Sequence, residues 1–152
     1  MKISLFKSTV ARIVEPELQP LGYEMDFDPL EDFEGDIHFD KTLQDGIYIT
    51  IHFQPSELGS DHVVDFAVNL TRNWYTNKIS KEQMLSGYRL HCRLAAFLWI
   101  QDRFDPEWEG DHWWHFLTEQ DLEAACRNVL EKLFHYGIPW AEDLDSSNPF
   151  PV

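Results

Sequence analysis

Apolar and polar positions alternate in two segments between Gly46 and Thr71, joined by a turn at residues 55–61. The apolar positions are Ile47, Ile49, Ile51 and Phe53 in the first segment and Val64, Phe66, Val68 and Leu70 in the second. Neighbouring side chains of a β-strand point to opposite faces, so this spacing predicts two strands with one buried and one polar face. The polar face is then the first place to look for function.

The N-terminal residues 4–21 place apolar side chains at helical spacing, which predicts a helix. Pro16 predicts a break or kink in the middle of that helix, and Gly22 is expected to end it. Residues 23–27 and 35–41 read as two further strands. In the second of these, Asp36, His38 and Asp40 would share one face.

Residues 80–102 fit both a helix and a strand. Apolar side chains from Met84 to Trp99 recur near helical spacing, but Tyr88, Leu90, Cys92 and Leu94 also alternate with polar residues. Gly87 favours a break just before that alternation. We therefore predict a strand from Tyr88 to Phe97.

The last predicted helix has clear signals at its start. Thr118 is the expected N-cap, and Asp121 three residues later makes a variant of the capping box. Gly137 is expected to end this helix, and Pro139 to prevent its continuation. The polar, proline-containing residues 146–152 are expected to be a disordered tail.

A helix, several strands and a final helix predict an α+β fold. Short links indicate an antiparallel sheet of about five strands, with both terminal helices packed on its apolar face. Because 152 residues suit one domain, we expect a single domain over residues 1–145.

The chain is strongly acidic, with 27 acidic against 12 basic residues and a net charge of −15. Between Glu24 and Asp45 the only basic residue is Lys41, and between Asp102 and Glu123 it is Arg103. Such a surface repels phosphate backbones and anionic lipids, which argues against nucleic-acid and membrane binding. It would attract a basic protein, although high charge also simply confers solubility.

Cys92 and Cys126 are the only cysteines, and they form neither a CxxC pair nor a disulfide framework. We expect both to be free and buried. There is no signal-peptide pattern and no apolar run of the ~18 residues that a membrane span needs. These features favour the cytoplasm.

The polar face of the predicted sheet holds the best candidate binding residues. They are His52 on one strand, Asp65 and Asn69 on the next, and Arg89, His91 and Arg93 on a third. Clustered His, Asp and Arg side chains can bind an anionic or polar ligand or take part in proton transfer. The alternative is a solvated face with cross-strand ion pairs, which antiparallel sheets normally have.

Trp113 and Trp114 are flanked by His112 and His115. The two histidines lack identifiable further ligands for zinc, so we assign no metal and no cofactor. The tryptophans are expected to anchor this segment to the core, and stacking on a ligand is the alternative. No GxSxG, Walker, GxGxxG or HExxH motif occurs, so no catalytic residue is assigned.

Several short motifs occur in a characteristic order. They are Leu21-Gly22-Tyr23, Phe66-Ala67-Val68-Asn69-Leu70, Arg93-Leu94, Asp111-His112-Trp113-Trp114 and Gly137-Ile138-Pro139-Trp140. Together they resemble a mostly bacterial family of small α+β domains of unknown function. The resemblance spans roughly residues 5 to 142 and implies a single α+β domain. It implies no activity, and His112 stands where the family often has Lys or Arg.

Three functions are compatible with these patterns. The leading hypothesis is a non-enzymatic binding module whose acidic surface engages a basic protein, for example as an immunity or inhibitor protein. The second is a small enzyme or ligand-binding protein that uses the polar face of the sheet. The third is a structural homodimer formed through exposed aromatic residues.

Overall fold

The computed structural model describes residues 1–26, 36–44, 47–56, 62–74, 90–95 and 114–143. Helix α1 (Ile3–Leu18) and a 3-10 turn (Gln19–Leu21) lead into strands β1 (Glu24–Asp26), β2 (Ile37–Gln44), β3 (Ile47–Pro55), β4 (Asp65–Trp74), β5 (Leu90–Arg93) and β6 (Trp114–His115). Helix α2 (Glu119–Lys132), a π-helical turn (Leu133–Gly137) and helix α3 (Ile138–Glu142) follow.

The strands form one antiparallel sheet in the order β1-β2-β3-β4-β5, and β6 pairs with the start of β4. In β3 the odd-numbered residues are buried and the even-numbered ones partly exposed, so the predicted two-faced strand is confirmed. Helix α1 covers the apolar face through Phe6, whose ring centroid lies 5.6 Å from that of Phe66. The predicted α+β fold, with terminal helices on the apolar face, is confirmed.

The predicted break of the first helix at Pro16 is wrong, because α1 continues through the proline to Leu18. Val14 and Leu18 on either side are fully buried. Their packing holds the helical path although Pro16 cannot donate a backbone hydrogen bond. The expected end is confirmed at Gly22, which has a positive φ of 93°.

The second alternating segment begins one residue later than expected. Val64 is exposed, and Val63 takes the core position instead. Strand β4 starts only at Asp65, and the Val63 N–H donates to the Met1 carbonyl at 2.7 Å. The strand alternation therefore does not extend back to Val64.

The predicted strand from Tyr88 to Phe97 is confirmed only for Leu90–Arg93. Leu94 and Ala95 are helical, and both are buried. Consecutive residues of a strand point to opposite faces, so a helical turn allows both to pack into the core. Residues 88–89 and 96–97 lie outside the described residues.

The start of the last helix is confirmed, since Thr118 and Asp121 form a reciprocal capping box. The backbone N–H groups of Leu117 and Thr118 donate to the Asp121 carboxylate, and these hydrogen bonds hold its pKa below its usual range. The predicted end at Gly137 is wrong, because the chain continues through the π-helical turn into α3, with Pro139 in its first turn. A Cβ at Gly137 would lie 3.1 Å from a Leu94 methyl carbon, so close packing explains this glycine. The predicted tail, 146–152, lies outside the described residues.

Candidate functional site

One row of polar residues crosses four strands on the second face of the sheet. His38 of β2 pairs with His52 of β3, His52 pairs with Asn69 of β4, and Asn69 pairs with Arg93 of β5. Residues directly opposite in antiparallel strands share a face, with Cβ atoms about 5 Å apart. The register therefore brings together three of the predicted site residues, His52, Asn69 and Arg93.

This face is more buried than the solvated surface that the sequence also allowed. Asn69 is only 5% exposed and Ala67 only 1%, whereas His52 and Arg93 are partly buried. The Asn69 Nδ2 donates to the Gln54 Oε1 at 3.1 Å. The polar residues of β4 thus belong to a partly dehydrated environment, where polar interactions are stronger than in water.

Two histidines and an aspartate cluster at the β2 and β3 end of this row. The rings of His38 and His52 stack with centroids 4.3 Å apart and planes 7° from parallel. The His52 Nε2 lies 3.4 Å from the Asp36 Oδ1. Asp36 is only 8% exposed, which confines its carboxylate close to the imidazole. The sequence placed Asp36 and His38 on one face, and the register adds His52.

A second row carries two opposed carboxylates. Glu24 of β1 pairs directly with Asp40 of β2, and Asp40 pairs with Thr50. The Thr50 hydroxyl donates to the Asp40 Oδ1 at 2.6 Å. Like charges directly opposite each other destabilise a sheet. Lys41 follows Asp40 in β2 and therefore lies on the opposite face of the sheet. Its Nζ binds the Glu142 Oε1 at 2.6 Å.

Asp65 is separated from the polar row. It pairs with His115 of β6, and its Oδ2 lies 3.4 Å from the His115 Nδ1. The Ser56 hydroxyl also donates to the Asp65 carboxylate. Asn69 lies four residues further along β4, about 13 Å away. Asp65 therefore belongs to a different part of the surface.

Trp114 belongs to the core. It is 5% exposed, its ring lies 5.9 Å from that of Phe66, and its indole N–H donates to the Asn128 Oδ1 at 3.1 Å. The expected anchoring of this segment is confirmed for Trp114. Trp113 and Arg89 lie outside the described residues, as does the His91 side chain. The backbone of His91 pairs with Thr71.

Arg72 is a buried structural residue that the sequence analysis did not identify. It continues the apolar phase of β4 after Leu70 and is only 1% exposed. Its guanidinium donates to the carbonyl oxygens of Ala141 at 2.9 Å, Asp143 at 3.1 Å and Trp140 at 3.2 Å. Arg72 therefore fixes the end of α3 to the sheet. The sequence feature that could have indicated this role is a cationic residue two positions after Leu70, where the alternation of the strand calls for an apolar residue.

These features define a small α+β domain with helices on one face of an antiparallel sheet and a histidine- and carboxylate-bearing row on the other. A family model described as a domain of unknown function, DUF4304, matches residues 33–143, and the chain belongs to this family. The predicted resemblance to an uncharacterised family is thus confirmed. No curated protein and no solved structure shows a significant match to the chain.

In the part of the chain that the structure describes, no helix has the length and apolar character needed to cross a bilayer.

Proposed function

We propose that this protein is a non-enzymatic binding module that engages a basic protein through its acidic surface, as an immunity or inhibitor protein engages a basic toxin. The observation that carries the proposal is the direct pairing of Glu24 with Asp40 at the β1–β2 edge. This arrangement costs folding free energy. A cationic group from a partner would remove the repulsion on binding.

Lys41, which follows Asp40 in β2, is used within the fold, where its Nζ binds the Glu142 carboxylate. The chain as a whole carries a net charge of −15. An excess of one sign steers an oppositely charged partner and raises its association rate.

A reducing cytoplasm is the proposed location. Cys126 is free and buried, and burial raises the pKa of its thiol to about 12. A protonated thiol in the core is unreactive, which suits a protein that does not rely on disulfides.

Affinity capture from a cell lysate of the source organism tests the proposal. The bait is the wild-type protein, compared with the double variant Glu24→Gln/Asp40→Asn. We expect wild type to retain a basic protein at ~50 mM salt and to release it at ~500 mM, since screening weakens charge attraction. The double variant is expected to lose most of that capture.

The matched control is Glu17→Gln/Glu131→Gln, which removes two exposed carboxylates from α1 and α2 on the helical side of the molecule. This control has the same net charge as Glu24→Gln/Asp40→Asn and should capture as much of the basic protein as wild type does. Equal losses in both variants would mean that overall charge rather than the β1–β2 edge governs binding. A complex that persists at high salt would contradict the proposal.

The alternative function is binding or conversion of a small polar ligand on the same face. The row formed by His52, Asn69 and Arg93 favours it, because these groups are aligned and partly buried. The Glu24→Gln/Asp40→Asn variant leaves this row intact, so the variant should still bind a ligand there.

A further inference from the structure

We propose that Asp36, His38 and His52 bind a divalent transition-metal ion such as Zn²⁺. One donor atom from each of these side chains lies within 4.8 Å of the others. His38 of β2 faces His52 of β3, so the sheet sets the spacing of the two histidines, and Asp36 directly precedes β2.

Two features of the cluster point to a ligand. The His52 Nε2 is buried and makes no aligned hydrogen bond to any residue that the structure describes. It lies 3.4 Å from the Asp36 Oδ1, a distance suited to an ion pair, and Asp36 is 8% exposed. Buried polar atoms are nearly always paired, and a metal ion would satisfy both the imidazole nitrogen and the carboxylate.

The donor set decides which ion fits. Two imidazole nitrogens and one carboxylate oxygen suit Zn²⁺ and neighbouring first-row metals. Ca²⁺ and Mg²⁺ prefer all-oxygen sites, so they should not compete. Three protein ligands leave a fourth position on zinc for water or for a group from another molecule.

Binding requires a small local change. Ligands at about 2.1 Å from a tetrahedral zinc lie about 3.4 Å from one another, which is closer than the 4.8 Å limit of this cluster. The lone pair of an imidazole nitrogen lies in the ring plane, so two parallel rings do not point at one ion. The stacked rings of His38 and His52 must therefore tilt as the ion binds.

The experiment is a calorimetric titration of the tag-free, metal-stripped full chain with ZnCl₂. We expect one ion per chain, and at least tenfold weaker binding in each of Asp36→Asn, His38→Gln and His52→Gln. CaCl₂ and MgCl₂ should give no comparable binding. Circular dichroism in EDTA establishes that each variant is folded, and Asp36→Asn keeps the test valid if a histidine variant unfolds.

The matched control is His115→Gln, because His115 also lies 3.4 Å from an aspartate, Asp65, but on an exposed side chain. It should bind Zn²⁺ like wild type. Absence of zinc binding by wild type, or equal affinity in wild type and Asp36→Asn, would overturn the proposal. A loss of zinc affinity in His115→Gln as large as that in Asp36→Asn would also overturn the proposal. The titration contains no partner protein, so its outcome is independent of the proposed protein–protein function.

Discussion

Replacing Phe66 by alanine is expected to lower the free energy of unfolding by about 4 kcal/mol. Phe66 is fully buried at the centre of an aromatic cluster. Its ring centroid lies 5.6 Å from that of Phe6 and 5.9 Å from those of Phe53 and Trp114. The substitution removes contacts with α1, β3 and β6 together, and their side chains cannot all move in to fill the cavity.

Urea unfolding followed by far-UV circular dichroism measures this loss. We expect a lower midpoint with an unchanged slope, which indicates a change of stability rather than of the unfolded state. The control is Leu117→Ala, because Leu117 is 87% exposed. Its effect should stay within about 0.5 kcal/mol. A loss below about 1 kcal/mol for Phe66→Ala would mean that the helices do not pack on this face of the sheet.

Replacing Arg72 by methionine is expected to destabilise the protein by about 3 kcal/mol. Methionine fills much of the same space but leaves the carbonyls of Trp140, Ala141 and Asp143 without their buried donor. Arg72→Lys should not restore stability, because an ammonium group cannot reach several carbonyls with the fixed fork of a guanidinium.

The same urea measurement applies to Arg72, with Arg127→Met as control. Arg127 is exposed, and the N–O distance of its ion pair with Glu123 is 3.8 Å. Because exposed ion pairs contribute little, Arg127→Met should leave the free energy of unfolding nearly unchanged. If Arg72→Met left the unfolding midpoint unchanged, or if Arg72→Lys were as stable as wild type, the guanidinium would not be what holds α3 on the sheet.

The sequence predicted the two-faced strand β3 because the evidence for it is local, whereas residues 66–70 of β4 are buried on both faces. Every second residue of β3 is apolar, and the same residues are buried. Capping at Thr118 was equally readable, since Thr118 and Asp121 lie three residues apart. Both predictions depend only on spacing within one element.

The candidate site could be predicted only in part, because it depends on register between strands. The sequence placed His52 and Asn69 on the polar face, but not opposite each other. The pairing of His38 with His52 also depends on β2 and β3, whose register shifts between Thr42 and Gln44. The clustering of Asp36 with both histidines therefore could not be read from one strand alone.

Tertiary packing explains why the sequence analysis failed at Gly137 and at Arg72. Gly137 was predicted to end the helix, but the helical chain continues through it, and a Cβ there would lie only 3.1 Å from a Leu94 methyl carbon and 3.3 Å from one of Leu70. Arg72 lies just beyond the predicted alternation, which ended at Thr71, and it receives its partners Trp140 and Ala141 from α3, nearly 70 residues later. Such long-range contacts leave no periodic signal in the chain.

The central claim is the proposal that the Glu24 carboxylate at the β1–β2 edge serves an external cation rather than the fold. Urea unfolding of Glu24→Gln at ~50 mM and ~500 mM salt tests it most directly, because salt screens exposed charges. We predict a higher midpoint than wild type at low salt, since the variant relieves repulsion with Asp40, and no difference at high salt. A lower midpoint at low salt would show that the Glu24 carboxylate stabilises the fold, and would contradict the claim.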